Sequence, residues 1–373
     1  MTGSILTVAG HLGTVGGSEV AQLRIFKGLA QEGWDVHLLY VGTGDRWSEW
    51  DSLAATMTRI RATLPSPSSP VASTIGTLGS VMAGVKTHPS LIYVHSAGDT
   101  PLAQALAMVT RRPVVAHLHL PPPVRQPGWL NASLRRSDAV IAPSSDAAAR
   151  WIGASGIDPA VLSVIPTGVD LDAFVPLDGR TRVSIREGIG VDPDDRMILY
   201  AGRMEWNKGA HVLLDAVGHL DTPVHVVLCG PSDDAGYHAS LQWLLGQGKG
   251  TMLGPRSDVA SLMAAADLVV LPSMVPETQG LVVSEAMACG TPVVACNVGG
   301  VAASMRGFPD QLVPPNDPVR MAETIGQYVD WRADRPDLGR RSRAWVATNL
   351  PLRATIEAID EVLARVERIG EAG

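Results

Sequence analysis

Short apolar runs separated by turn residues and amphipathic stretches set the rhythm of the chain. Ser4–Ala9, Val36–Val41, Leu91–Val94, Val114–Leu118 and Ala139–Ala142 each read as a buried strand. Between the first two, Val20, Leu23, Phe26 and Ala30 recur at helical spacing over Glu19–Gln31, and Gly33 stops the helix. Prolines make Pro65–Pro70 a surface loop. After Val164–Ile165 the rhythm restarts. Residues 166–190 hold Pro166, Gly168, Pro176 and Gly179 and read as a connection. The second series has strands Met197–Ala201, Val224–Leu228, Leu268–Leu271 and Pro292–Ala295. Its helices are Ala210–Gly218, Tyr237–Leu245, Val259–Ala266 and Leu281–Ala288. A closing helix, Leu352–Ile369, carries Ile356, Ile359, Leu363 and Val366 on one face. Strands alternating with helices predict parallel sheets joined by crossovers. There is no repeat at a period of 20–50 residues, so the halves agree in architecture only.

Length and composition narrow this picture. The 373 residues exceed one ordinary core and suit two domains. With 46% hydrophobic and 18% charged residues the chain is globular, not disordered. A net charge of −7 argues against general nucleic-acid binding. The N-terminal MTGSILTVAGHLG lacks the pattern of a signal peptide, and no apolar run has the length of a membrane span. Cys229, Cys289 and Cys296 sit in apolar segments without metal-ligand spacing, which suits buried thiols in a reducing compartment such as the cytoplasm.

Four stretches carry candidate chemistry. In PSMVPETQGLVVSEAMACGTPVV, Glu277 lies in the loop after a strand and Glu285 one turn inside the next helix. The free N–H groups of such a helix start suit phosphate or sugar oxygens, and the carboxylates suit sugar hydroxyls. The alternative is a solvated Glu277 and a buried Glu285 paired with an arginine. In LYAGRMEWNKG, Arg203 and Lys208 follow a strand end, as a diphosphate clamp or as ordinary surface cations. Lys208 is one of only four lysines. Gly16–Gly17, between the first strand and first helix, permits close approach of an anion, though no G-x-G-x-x-G is present. In VVAHLHLPPP, His117 and His119 share one face of a strand end, as pocket or core residues. A third metal ligand at a convincing spacing is missing, so no metal is expected. Ser144–Ser145 lacks the hydrolase frame G-x-S-x-G, no P-loop motif occurs, and Asp192–Asp195 reads as a turn.

Together these stretches resemble glycosyltransferase family 4, retaining enzymes of the GT-B fold. The likeness runs in order through Gly16–Gly17, Leu118–His119, SDAVIAPSSDAAARW, VIPTGVDLDAFVP, AGRMEWNKG, LGPRSDVASLMAAADLVVLPS and PETQGLVVSEAMACGTPVVA. It implies two Rossmann-like domains facing across a cleft. Residues 1–176 with the closing helix 352–373 would be the acceptor domain, and 177–351 the nucleotide-sugar domain. It also implies roles. Glu277 accepts from donor-sugar hydroxyls and Glu285 holds the ribose. Arg203 and Lys208 bind the diphosphate. Gly280, Leu281 and Val282 offer backbone donors, Gly254 to Arg256 hold the base edge, His119 contacts the sugar, and Gly17 borders the phosphate. No cofactor or divalent metal is implied beyond the nucleotide sugar, with UDP the expected carrier. Two departures stand out. Gln279 occupies a position that is often aromatic, and Val301–Ala303 replaces an apolar residue, proline and glutamate after Gly299–Gly300.

The acceptor is less defined. Residues 1–178 carry 12 Lys/Arg against 13 Asp/Glu, so no basic bias favours an anionic lipid surface. The loop Gly44–Ser52 sets Trp47 and Trp50 beside Asp45, a pattern suited to stacking and hydrogen-bonding a sugar ring, or to a solvated loop with its tryptophans turned inward. With His117 these are the acceptor candidates. The expectation is hexosyl transfer to a small polar acceptor such as a sugar, cyclitol or aminocyclitol. The alternatives are a lipid-linked cell-envelope acceptor, a non-catalytic nucleotide-sugar-binding protein, or an epimerase acting on the free nucleotide sugar.

Overall fold

The computed structural model describes residues 3–13, 16–61, 70–246 and 250–372. The chain forms two compact units, Met1–Pro166 with Arg353–Gly373, and Thr167–Leu352. Unit one holds strands β1 (Ser4–His11), β2 (Asp35–Gly42), β3 (Thr56–Arg59), β4 (Leu91–Val94), β5 (Val114–His117), β6 (Ala139–Ala142) and β7 (Leu162–Val164). They form one sheet in the order β3-β2-β1-β4-β5-β6-β7. Unit two holds β8 (Met197–Ala201), β9 (His225–Cys229), β10 (Gly250–Met252), β11 (Leu268–Leu271), β12 (Val293–Cys296) and β13 (Leu312–Val313), in the order β10-β9-β8-β11-β12-β13. The pairings of both sheets are parallel. Both orders reverse direction at the first strand of the unit, as in doubly wound folds.

Both faces of the unit-one sheet are covered. Ile5, Leu91 and Tyr93 pack in one apolar cluster, while their neighbours Leu6, Ile92 and Val94 pack in another. That alternation explains why the inner strands are continuously apolar instead of half polar. The edge strands differ. None of β3, β7 and β10 has a fully buried residue, and β13 has one, Val313. The sequence pattern marks every inner strand but misses these edges, apart from the end of β7 at Val164–Ile165.

The closing helix, Leu352–Ala372, returns to unit one. Ile359, Val362, Leu363 and Val366 join the cluster around Phe26 and Trp34. Each such burial stabilises by about 1.5–3 kcal/mol. Trp34 Nε1 donates to Asp360 Oδ1 at 2.6 Å, which fixes the helix register against the sheet. The chain passes to unit two at Thr167, ahead of the expected boundary at 176, because this connection is itself packed. Val169 pairs with Pro351, and Phe174 is buried in the unit-two core.

Three further readings change. Residues 166–190 are no simple connection, since Asp178 caps a helix over Gly179–Gly188. Gly44–Ser52 is not a loop, since Trp47–Leu53 is helical and Trp50 packs on Phe26 with ring centroids 5.6 Å apart. Of the loop expected at Pro65–Pro70, residues 65–69 lie outside the described residues, and Pro70 starts a helix that runs to Val85. Asp192–Asp195 is a turn as expected, with Asp195 N donating to Asp192 O. Among the described residues no helix is long and apolar enough to cross a membrane. All three cysteines are buried and free, and burial raises their thiols, Cys229 to about 11 and Cys289 and Cys296 to about 12.

Candidate functional site

In unit two the candidate residues gather at the carboxyl ends of β8 and β11, the neighbours at which the strand order reverses. Open α/β sheets bind ligands at this point. β8 ends at Ala201, and the chain runs through Arg203 to a short 3₁₀ turn, Trp206–Lys208. Gly209 follows with φ 73°, and a Cβ there would lie 2.1 Å from Pro272 O. Only glycine allows the two loops this close. Met274 N donates to Asn207 O, which ties the loop after β8 to the loop after β11.

Lys208 Nζ consequently reaches Glu277 Oε1 at 2.7 Å, and Ser273 Oγ donates to the same oxygen at 2.5 Å. The paired side chains are only 23% and 15% exposed, so solvent screens them less than a surface pair. Arg203 Nη1 instead meets Glu205 Oε1 at 2.5 Å with both side chains more open, a geometry worth about 0–1 kcal/mol. Each cation of the expected clamp therefore rests on a carboxylate.

The backbone of Glu277 is fixed from the other side. Its residue bridges to Gly299, and Gly300 N donates to Glu277 O at 2.8 Å. Gly299 has φ 58°, and a Cβ would stand 2.1 Å from Glu277 O. Gly299–Gly300 thus shapes the site although its following residues depart from the family pattern. Gln279 is buried. Its Oε1 accepts from Thr167 N and its Nε2 donates to Thr167 O, both at 2.7 Å. The residue that replaces the frequent aromatic thus anchors the start of unit two, a role no local motif reveals.

Gly280 is the N-cap of helix Leu281–Ala288, without a side-chain cap. The N–H groups beginning at Leu281 and Val282 form the helix start that attracts anions. Glu285 is half-buried one turn further on. At the neighbouring strand ends Gly202 N donates to Cys229 O and Gly230 N to Gly254 O, which makes a corner without side chains. Past it, Arg256 forms a double hydrogen bond with Asp258 at 2.6 Å through both Nε and Nη2, a partner the sequence reading missed. Trp206, 64% exposed between Arg203 and Lys208, stacks on His211 with centroids 3.9 Å apart, and His211 Nδ1 lies 2.9 Å from Tyr237 Oη. This aromatic wall was also unforeseen.

In unit one, Gly16 is the N-cap of helix Gly17–Gln31, which follows β1. His117 and His119 lie at the end of β5, and both are buried. They do not stand alone. β4 pairs with β5 through Val94 and Ala116, which brings His95 beside them. His95 Nδ1 is 3.0 Å from His119 Nε2, and Tyr93 Oη is 2.8 Å from His117 Nδ1. Burial pushes the His119 imidazole down to about 4 and holds His95 and His117 well below the usual range, with the neighbouring histidines adding to the effect. His95 is the residue the reading for metal ligands lacked. Of the acceptor candidates, Trp50 is turned into the core, so it offers no stacking face, while Trp47 and Asp45 are exposed.

Two family models match this chain. Residues 15–173 match "Glycosyltransferase Family 4" and residues 195–330 match "Glycosyl transferases group 1". A D-inositol 3-phosphate glycosyltransferase of Xylanimonas cellulosilytica is 37% identical over 218 residues, covering 56% of this chain and 51% of that protein. One from Mycobacterium bovis is 36% identical over 226 residues, covering 56% and 43%. The chain thus spans about half the length of the curated relatives it matches. Among solved structures, Anabaena Alr3699/HepE in complex with UDP and glucose superposes with TM-score 0.84 at 23% identity, over 98% of this chain and all of that one. Sucrose-phosphate synthase from Thermosynechococcus elongatus reaches 0.77 at 22% identity, over 99% of this chain and all of that one. Both halves therefore match glycosyltransferase models, the first that of family 4, and the fold is GT-B.

Proposed function

We propose that this chain, matching glycosyltransferase models in both halves, is a retaining glycosyltransferase that moves a hexosyl group from a nucleotide sugar to a hydroxyl of a small cyclitol-type acceptor. One observation carries the reading. Lys208 and Glu277 meet at 2.7 Å at the reversal point of the unit-two sheet, beside a glycine corner and an uncapped helix start. A carboxylate for sugar hydroxyls and a cation for phosphate thus lie within one hydrogen bond of each other. Donor binding would exchange the Lys208–Glu277 and Arg203–Glu205 contacts for contacts to the diphosphate and sugar. Glu285 would take the ribose, the Gly280–Val282 backbone the phosphates, and Gly254 with Arg256 the base edge. In unit one, His119 would contact the sugar and Gly17 would border the phosphate.

In the reaction the anomeric carbon–oxygen bond to the diphosphate breaks, and negative charge grows on the leaving oxygen. Arg203, Lys208 and the helix N–H groups stabilise that charge where it develops. The acceptor hydroxyl attacks from the face that the diphosphate leaves, and its proton passes to the departing phosphate oxygen. No covalent enzyme intermediate, cofactor or metal takes part in this scheme. The bound UDP of Alr3699/HepE supports a UDP-linked donor. The names of the inositol phosphate relatives support a cyclitol. Three buried free thiols support a cytoplasmic location. The purified chain, incubated with UDP-, GDP- and ADP-hexoses and with inositol or its phosphates, is expected to give an α-linked product from a UDP-hexose, read by mass and NMR, with chelator present. Donor binding without transfer to any acceptor would overturn the reading.

One observation favours a lipid-linked acceptor instead. Leu78, Met82, Met108 and Val109 are all more than half exposed on two neighbouring helices, Pro70–Val85 and Thr100–Thr110. Co-sedimentation with anionic vesicles would support that acceptor over a soluble cyclitol.

A further inference from the structure

We propose that His95, His117 and His119 form a binding site for one divalent transition-metal ion of the kind that prefers imidazole, with Zn²⁺ or Co²⁺ as representative occupants. Each residue presents one ring nitrogen, and the three nitrogens lie within 4.8 Å of one another. Among the described residues no other group of three histidine, cysteine, aspartate or glutamate side chains converges in this way.

The surroundings are those of a metal site more than of a packed core. Tyr93 Oη holds His117 Nδ1 at 2.8 Å, which orients the ring and leaves Nε2 to point elsewhere. A ligating histidine is commonly fixed through its second nitrogen in this manner. His117 Nε2 is buried without a hydrogen-bond partner. Buried polar nitrogens rarely go unsatisfied. The contact between His95 Nδ1 and His119 Nε2, at 3.0 Å, uses one shared proton, and a metal ion would displace it. The rings of His117 and His119 stand 3.9 Å apart at 33°, and those of His95 and His119 are nearly parallel. All three imidazoles are buried, and ligation takes the neutral ring. Three imidazoles and no carboxylate select zinc, cobalt, nickel or copper over magnesium and calcium, and leave a fourth position open.

Metal at this site would occupy the His119 ring that the proposed transferase reaction uses for the donor sugar. The ion would then be an inhibitor of transfer and not its cofactor, a consequence that rests on the proposed function, whereas the site itself does not.

The test uses the full chain stripped of metal with a chelator. Titration with Co²⁺ alone is expected to give one equivalent with the intense visible bands of a tetrahedral ion, displaced by Zn²⁺. His95→Gln and His117→Gln should each lose that spectrum. Tyr93→Phe should weaken binding about 10-fold or more through the lost orientation of His117. If the histidine variants do not fold, the Zn²⁺ X-ray absorption spectrum of the unaltered chain decides, three imidazole shells supporting the site and fewer overturning it. A weak octahedral Co²⁺ spectrum, or stoichiometry unchanged in a folded His95→Gln, overturns it as well. Zinc bound without loss of transfer would overturn only the inhibitory consequence. Transfer absent under every condition would overturn the proposed function and leave the metal readouts intact.

Discussion

The unit-two site lies at the carboxyl ends of β8 and β11 and the histidine cluster of unit one at those of β4 and β5, and the two are built in opposite ways. In unit two the polar groups are charged, partly open and paired, Lys208 with Glu277 and Arg203 with Glu205. In unit one the groups are neutral imidazoles sealed among aromatic side chains, Phe26 and His95 with centroids 5.0 Å apart. A charged pair near solvent can be exchanged for an ionic ligand at little cost, since both states are salt-bridged. A neutral buried cluster gains most from an uncharged sugar edge or from a soft cation that needs no counter-carboxylate. The two clusters thus differ in charge, burial and pairing.

The largest effect that tests this contrast is kinetic. Glu277→Ala and Lys208→Ala are each expected to lower kcat by about 10²–10³-fold with folding retained, since in the proposed reaction each removes a group that meets the developing charge or the sugar. Steady-state rates with a UDP-hexose check this, and a loss under fivefold would remove unit two as the chemical centre.

Next comes acid stability, which belongs to unit one. Above pH 6.5 the His119 ring is neutral in both folded and unfolded chains. Below it the unfolded chain takes up a proton that the folded one refuses until about 4. Stability therefore falls as pH drops from about 6.5 to about 4, by on the order of 3 kcal/mol for His119 alone. His95 and His117 act in the same direction. Asp99, pushed up to about 7 by burial, acts in the opposite one and offsets part of the loss. Urea unfolding at a series of pH values reads the net slope, and His119→Gln should flatten it.

The smallest expected effect is structural. Gly299→Ala puts a Cβ against Glu277 O at a positive φ, and strain of this kind costs about 1–3 kcal/mol. A lowered melting temperature with a raised KM for donor would separate positioning of Glu277 from chemistry. An unchanged KM would mean that the Gly299 contact does not position it.

The same contrast explains what was legible in advance. The unit-two candidates lie in two continuous stretches that each follow a strand, so chain order alone puts Arg203, Lys208, Glu277 and Glu285 near strand ends. His95 is separated from His117 by a whole crossover. Only the pairing of β4 with β5 brings them together, and one strand read alone carries no register with its neighbour. Inner strands are legible because both faces are buried. The edges β3, β7, β10 and β13 lack that signal. Helix Trp47–Leu53 was obscured because Trp50 is its one buried residue, too little for a helical period.

The return of Leu352–Ala372 to unit one makes unit two an insertion within unit one. During synthesis, unit two can complete its core as soon as Leu352 has emerged. Unit one must wait for Ile359, Val362, Leu363 and Val366 to cover Phe26 and Trp34. The unit that begins first thus finishes last, and until then part of its apolar cluster lacks its cover.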